Sequence, residues 1–316
     1  MNSMQKSQEI EQNQKKSARP WLTKKRQDVL FSLLLIMPAF IVLVLVIFYP
    51  ILQSIRYSFT DYTLATRNNP PWNDFENYRR LFASGEIYTY FKNTFIYVFF
   101  VVAGQLVFAL GIALLLNTKI NFRDTFRGLF LLSWTIPSVV VAFLWIWLLQ
   151  PQYGVVNFVL FKLGLIERNL QWTQNPDLAM VSIVLAAGWR QTPMMIVMFL
   201  AGLQSVPAQL VEAARIDGAN NVQAFRHITI PILRPVIGAT VLIAIINNFQ
   251  MFTIIFNMTH GGPLDKTTTL SIATYTKAFQ EFDMGVGAAI GVLWLVVLVI
   301  LTLIYRKFLE GEAAMA

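Results

Sequence analysis

The chain has 316 residues, of which 56% are hydrophobic and 13% charged, against about 45–50% and about 25% in soluble domains. Such a surplus of apolar side chains indicates a membrane protein. The net charge is +8, but Lys and Arg mostly flank apolar segments, so membrane topology explains them better than binding to a nucleic acid does. With no Cys and two His, the chain offers neither disulfides nor thiol nucleophiles and little for a histidine metal cluster.

The sequence divides into a polar leader, a long apolar region and a short tail. Residues 1–28 are rich in Gln, Lys and Ser, which predicts a disordered, basic cytoplasmic tail. The region 29–310 contains six segments long enough to cross about 30 Å of hydrocarbon as helices. These segments are approximately 29–50, 95–116, 127–149, 178–200, 236–256 and 285–305. We therefore expect an all-α, polytopic domain with six transmembrane helices, followed by a cytoplasmic C-terminal tail over 311–316.

The connecting segments indicate the orientation of this domain. Lys and Arg are more frequent in the segments that share a side with the N-terminus, which predicts that both termini are cytoplasmic. The same rule places the polar segment 207–235 in the cytoplasm. On the opposite side, the segment "PPWNDFENYRRLF" contains turn dipeptides followed by the pattern of a short amphipathic helix.

Several functional classes lack the residues that they need. All 17 Asp and Glu lie outside the six segments or at their edges, which disfavours a proton-coupled secondary transporter. An integral membrane enzyme would need a nucleophile with a base, an acid pair or a metal cluster, and none is found. The segment "GGPLDKTTTL" fails the spacing of a phosphate-binding loop because Asp265 precedes Lys266. If the protein uses ATP, another chain must bind it.

The polar segment 207–235 has the pattern of two short helices joined by a turn. Pro207 suits the first turn of a helix, and Gly218 suits the left-handed residue that ends one. Asn220 or Asn221 can cap a second helix over Val222 to Ile228, which Pro231 is expected to end. Physical reasoning alone leaves open whether this segment is a docking element or an amphipathic linker on the membrane surface.

The spacing in this segment resembles the EAA loop of binding-protein-dependent ABC importer permeases. The pattern E-A-A-x3-G-x9-I-x-I-P is formed by Glu212, Ala213, Ala214, Gly218, Ile228 and Pro231. Other segments are similar to the carbohydrate-uptake branch of that family, above all to its maltose-type permease subunits. These segments are "ENYRRLF…KNTFIY", "IPSVVVAFLWIWLLQPQYGVVN", "GWRQTPMMIVMFLAGLQSVP" and "NNFQMF…THGGP".

The resemblance implies a type I ABC importer permease fold with a cytoplasmic helix–turn–helix coupling loop. It also implies a non-enzymatic, multi-pass subunit in a bacterial-type plasma (inner) membrane that imports a sugar by alternating access. The implied partners are two ATP-binding cassette subunits that bind ATP and Mg, an extracellular solute-binding protein, and a second, similar permease subunit in a heterodimer. The chain itself would bind no cofactor and no nucleic acid. A permease for an anionic solute, such as a sugar phosphate or uronate oligomer, and a secondary transporter or channel are the alternatives.

Polar side chains within the fourth and fifth segments are candidates for the substrate pathway, because lipid-facing polar groups are costly. The fifth segment contains Asn247, Asn248 and Gln250, whose amides either bind sugar hydroxyls or hold helices together. The resemblance adds Trp189, Arg190 and Gln191 in the fourth segment. Arg190 is the one charge within a segment, and either a ligand-binding or a structural role fits it.

Overall fold

A computed structural model describes residues 24–118 and 123–313, with side chains described for 28–118 and 125–307. The proposed N-terminal tail lies outside these residues up to position 23, and the C-terminal tail from position 314. The chain divides into two compact units, Met1–Gln53 and Ser54–Ala316. The first unit contains helix α1 (Lys24–Leu43), a π-helical turn (Val44–Phe48) and the start of α2 (Tyr49–Tyr57). Because Lys, Arg and Gln favour helices, α1 includes the residues from Lys24 onward that precede the apolar segment.

The second unit is entirely helical among its described residues, apart from two isolated β-bridges. Its further helices are α3 (Glu76–Ser84), α4 (Glu86–Asn117), α5 (Arg123–Thr135), α6 (Ser138–Leu148), α7 (Val155–Lys162), α8 (Ala179–Gln204), α9 (Ala208–Ile216), α10 (Asn221–Ala224), α11 (Ile230–Phe249), α12 (Thr253–Thr259), α13 (Leu270–Tyr275) and α14 (Met284–Ala313). In the part of the chain that is described, five helices are long and apolar enough to cross a membrane. Two shorter helices, α5 and α6, are bent against each other and raise this number to six if the pair forms one span. The all-helical membrane fold is thereby confirmed.

The third predicted segment, 127–149, is that bent pair and not one continuous helix. Its two halves, α5 and α6, meet at an angle of 98°. The break lies at Pro137, whose backbone is extended with a ψ of 138°, and α6 starts again at Ser138. Proline cannot donate a backbone hydrogen bond and disfavours helical geometry in the residue before it, which accounts for the break.

The fifth predicted segment also differs, because one continuous helical run extends from Asn221 to Phe249. Pro231 therefore does not end a helix, and the separate short helix that we expected over 222–228 merges with the span. A π-helical turn, Phe225–Thr229, ends two residues before Pro231, and the Ile230 N–H donates to the Phe225 oxygen. This wider turn relaxes the clash that a proline ring makes with an α-helical carbonyl. The span ends at Phe249, before the expected 256.

Two apolar clusters hold the spans of the second unit together. One joins α4, α6, α8, α11 and α12 through buried residues that include Tyr97, Val141, Ile183 and Ile254. The other joins α4, α8 and α11 around Phe199 and Leu233. At Gly202, an added Cβ would lie 2.7 Å from Leu233 Cδ2, so glycine is what allows α8 and α11 to approach here.

A polar layer covers the ends of the spans near Glu86. The predicted amphipathic helix is confirmed as α3, which the Asn77 amide fixes by donating to the Ser58 and Thr60 carbonyl oxygens. Lys277 pairs with Glu86 at 3.1 Å and with Glu281 at 3.0 Å. Burial opposes the charged form of Lys277, but these hydrogen bonds and charges outweigh it and raise the pKa of its amine.

Candidate functional site

A cavity of about 250 Å³ lies among the spanning helices of the second unit. Its wall is formed by α4, α5, α8 and α11, together with Met251. Apolar and sulfur-containing side chains make up one part of the lining: Trp134, Met194, Met195, Met198, Ile243, Ala244 and Met251. The polar part is formed by Gln105, Arg190, Gln191, Thr240 and Asn247. Flexible Met side chains next to amides and one guanidinium suit a site that holds a polar solute against an adaptable apolar surface.

Three of the six predicted pathway residues line this cavity. Arg190 and Gln191 come from α8 and Asn247 comes from α11, so the structure brings the fourth and fifth spans together here. The other three residues, Trp189, Asn248 and Gln250, are not part of the lining. Trp189 packs edge-on against Trp145, and Gln250 is exposed beyond the end of α11. Their assignment to the pathway stays a prediction.

Asn248 lies behind the cavity wall and is 1% exposed. Its side-chain oxygen accepts hydrogen bonds from Gln191 Nε2 at 2.9 Å and from the Tyr97 hydroxyl at 3.1 Å. Its amide nitrogen donates to the Ala244 oxygen at 2.9 Å. One asparagine therefore links α4, α8 and α11, and it fixes Gln191 in the wall of the cavity.

Arg190 is held at the break of the bent pair. Its Nε donates to the Ile136 oxygen at 3.1 Å, next to the proline that interrupts α5 and α6. A second bond connects the same elements, because the Ser133 hydroxyl donates to the Trp189 oxygen at 3.3 Å. That oxygen lies four residues before Pro193 and loses its usual helical donor to the proline. The arginine also lines the cavity, where none of the described lining residues is Asp or Glu.

Gln105 on α4 is the main lining residue that the sequence analysis missed. The residues predicted for the pathway lie only in the fourth and fifth spans, whereas Gln105 lies in the second. The signal that marks Asn247, an amide within an apolar span, is equally present at Gln105. Trp134 and the Met residues could not have been found in this way, since aromatic and thioether side chains occur throughout spanning helices.

The predicted coupling loop forms the expected turn between two helices. α9 ends at Ile216 and is capped by Asp217, and Gly218 follows with a φ of +88°, in the left-handed region. The Ala219 N–H then donates to the Ala214 oxygen, which closes the turn. Asn220 caps α10 by accepting from the Gln223 N–H, while the Gln223 side chain accepts from the Asn220 N–H. These paired bonds satisfy backbone donors at the start of the helix.

The surface of this loop is open. Glu212, Ala213, Gly218 and Pro231 are exposed, whereas Ala214 and Ile228 are half-buried. Two large apolar side chains, Ile216 and Val222, lie on either side of the turn and are 86% and 73% exposed. Both side chains are therefore open to contact by another protein.

The comparisons with known proteins agree with this arrangement. Residues 105–311 match the model of a family described as the inner membrane component of binding-protein-dependent transport systems. The sulfoquinovosyl glycerol transport system permease protein SmoG of Agrobacterium fabrum is 33% identical, over 90% of this chain and 92% of that protein. The trehalose/maltose transport system permease protein MalF of Thermococcus litoralis is 31% identical, over 90% of this chain and 95% of that protein.

Among solved structures, a bacterial ABC transporter involved in the import of the acidic polysaccharide alginate shares the fold. The TM-score is 0.75 at 24% identity, and the alignment covers 90% of this chain and 96% of that one. This similarity confirms the expected permease fold. The chain therefore belongs to the family of binding-protein-dependent transport system inner membrane components, integral membrane proteins that transport and do not catalyse a reaction.

Proposed function

We propose that this chain is the permease subunit of an ATP-driven importer of a sugar, an oligosaccharide or a sugar derivative. The observation that carries the proposal is the cavity between spans, in which Gln105, Arg190, Gln191 and Asn247 meet. Amides and a guanidinium suit the many hydroxyl oxygens of a sugar. The names of two relatives, which specify trehalose/maltose and sulfoquinovosyl glycerol, support a carbohydrate.

The remaining partners follow from the family and from the exposed coupling loop. In the proposed complex, two ATP-binding cassette subunits hold ATP and Mg and contact the loop around Glu212 and Gly218. A second, similar permease subunit forms a heterodimer with this chain and closes the cavity where Asn247 is exposed. A solute-binding protein delivers the sugar on the outer side of a bacterial inner membrane. Both termini of the chain then lie in the cytoplasm, as the distribution of Lys and Arg predicts.

The proposal also assigns the segments of the chain. Residues 29–310 form the transport domain, 207–235 form its coupling loop, and 1–28 and 311–316 are cytoplasmic tails. The pathway includes Trp189, Asn248 and Gln250 along with the three predicted residues of the wall. Trp189 and Gln250 extend it beyond the cavity, and Asn248 acts by holding Gln191 in place.

Reconstitution of the complete complex tests this function. The chain, the second permease subunit, the ATPase subunits and the binding protein are placed in proteoliposomes with ATP, and uptake of radiolabelled maltose, trehalose and a uronate trisaccharide is measured. We expect uptake of at least one sugar, and its loss with a hydrolysis-deficient ATPase. Uptake that continues without ATP in an ion gradient would instead support a secondary transporter.

A second candidate, an anionic sugar as cargo, is favoured by the position of Arg190. This cation lines a cavity whose described lining contains no Asp or Glu, and a carboxylate or phosphate of the solute could supply the missing charge. Arg190→Met separates the two roles of the side chain. If Arg190 binds the anion, uptake of the uronate trisaccharide falls while uptake of maltose is kept. If it only holds the break near Ile136, uptake of both sugars falls together with the melting temperature.

A further inference from the structure

Gln105 stands out among the buried amides of the described chain. Five Asn and Gln side chains are buried: Asn77, Asn93, Gln105, Asn157 and Asn248. In four of them the amide nitrogen donates to a backbone carbonyl oxygen. The acceptors are those of Ser58, Asp265, Leu170 and Ala244, respectively. The nitrogen of Gln105, a residue only 3% exposed, has no hydrogen-bond acceptor within the described residues.

A buried donor without an acceptor is destabilising, and native proteins retain few of them. At Gln105 the unpaired donor coincides with the wall of the cavity, and the residue lies near the middle of the spanning helix α4. An apolar side chain of similar size would fill the same space without leaving a donor unpaired. Of the buried side-chain atoms that lack a hydrogen-bond partner within the described residues, this one lies in the wall of the cavity, so a molecule that enters the cavity can supply its acceptor.

The polar groups around the cavity indicate the chemistry of that molecule. Arg190 has only donors, and Gln191 Nε2 already donates to Asn248. The Thr240 hydroxyl is 3.7 Å from the sulfur of Met198 and donates to it. A solute that satisfies this wall must therefore bring acceptors for the guanidinium and the unpaired amide nitrogen, and donors for the remaining amide and hydroxyl oxygens; the hydroxyl groups of a sugar provide both. The Met and Trp134 side chains offer apolar contacts to the faces of a sugar ring.

We propose that Gln105 is a solute-binding residue of the permease, whose side-chain NH2 donates to an oxygen of the sugar in the cavity. This inference rests on the proposed sugar transport and adds a third helix, α4, to the pathway. The binding wall then consists of Gln105 on α4, Arg190 and Gln191 on α8, and Asn247 on α11. The amide nitrogen then gains its acceptor when the sugar passes.

Gln105→Met tests the inference, because Met has a similar length but no N–H. Uptake of radiolabelled maltose, trehalose and the uronate trisaccharide is measured in proteoliposomes with the full complex. For whichever sugar the wild type imports, we expect the uptake rate to fall about twofold to tenfold, as for one lost hydrogen bond. ATP hydrolysis stimulated by the binding protein should persist, so that less sugar enters per ATP. The melting temperature should stay equal or rise, since a buried donor is removed.

A matched control places the same new side chain elsewhere on α4. Val107 is 70% exposed, and Val107→Met should transport like the wild type. Wild-type uptake by Gln105→Met would overturn the inference while leaving sugar transport intact. A lower melting temperature with a proportional loss of uptake would also overturn it, because Gln105 would then be structural. If the wild type imports none of the three sugars, the proposed function fails and the role of Gln105 falls with it.

Discussion

Asn247 and Asn248 are neighbours in the chain, yet their side chains have opposite environments. Asn248 is buried and accepts from Gln191 and Tyr97, whereas Asn247 is exposed at the cavity. Asn248→Leu would leave the buried Tyr97 hydroxyl and the half-buried Gln191 amide without their acceptor, so we expect the free energy of unfolding to fall by about 1–3 kcal/mol. Thermal unfolding of the purified protein in detergent measures this loss as a lower melting temperature.

Asn247→Leu is the matched control for that prediction, since it makes the same change one residue away. It should leave the melting temperature unchanged but slow sugar uptake, because the side chain lines the cavity. Equal melting temperatures for the two variants would contradict a structural role of Asn248. The adjacent amides could not be told apart from the sequence, since their spacing along the helix fixes neither which one is buried nor what it contacts.

Gly218 is required because the backbone is left-handed at this residue, and not because a larger side chain would clash with its neighbours. Its φ is +88°, and an added Cβ would have no heavy atom within 4 Å. Gly218→Ala should therefore cost only the strain of a left-handed residue, about 1–2 kcal/mol. We expect this strain to loosen the turn and weaken binding of the ATPase subunits by up to about tenfold, measured in detergent by a titration of the purified complex.

Gly218→Asn separates conformation from side-chain contact, because Asn accepts the left-handed conformation far better than Ala does. The Asn variant should bind the ATPase subunits nearly as the glycine protein does. If Ala and Asn weaken binding equally, the turn conformation is not the cause. The sequence predicted this turn correctly because a glycine after a short amphipathic helix is a local signal that needs no knowledge of packing.

Among the helices, the prolines show why breaks were harder to predict than spans. Pro137 separates α5 from α6 at 98°, whereas Pro193 lies within the continuous helix α8. The difference comes from tertiary contacts: the carbonyl of Trp189, which Pro193 leaves without its helical donor, accepts from Ser133 of a neighbouring helix. Apolar length predicts where a helix crosses the membrane, but only packing decides whether a proline interrupts it.

Pro231 and the π-helical turn before it are expected to set how the proposed coupling loop is oriented on its span. Pro231→Ala restores an N–H that can donate to the oxygen of His227, which favours a regular α-helix. Removing the extra residue of the π turn would rotate the loop by roughly 100° about the helix axis. We expect the variant to insert and fold normally but to import less sugar per ATP hydrolysed, as measured in proteoliposomes.

Pro235→Ala provides the comparison, because this second proline lies in the same helix but farther from the π turn. It should leave the ratio of sugar imported to ATP hydrolysed close to that of the wild type. A wild-type ratio for Pro231→Ala would mean that the π turn does not set the orientation of the loop.

At the scale of the whole protein, the distribution of Lys and Arg predicts that both termini are cytoplasmic, and cysteine labelling can test this orientation. The sequence contains no Cys, so a single introduced cysteine reports its own location. Ile216 in the coupling loop is 86% exposed, and Leu264 in the loop between α12 and α13 is 82% exposed. If both termini are cytoplasmic, Ile216→Cys faces the cytoplasm and Leu264→Cys faces the outside.

We therefore expect a membrane-impermeant maleimide to label Leu264→Cys in intact cells, and to label Ile216→Cys only after the membrane is opened. The unmodified protein controls for background, and Ile254→Cys, at a side chain that is 0% exposed, controls for accessibility. The reverse pattern would overturn the orientation. It would also overturn the assignment of 207–235 as a coupling loop, because ATP is hydrolysed in the cytoplasm and a loop on the outer side could not contact the ATPase. Labelling of Ile216→Cys thus tests two things in one measurement. It tests the orientation predicted from Lys and Arg, and it tests whether the loop 207–235 lies on the side of the membrane where an ATPase could contact it.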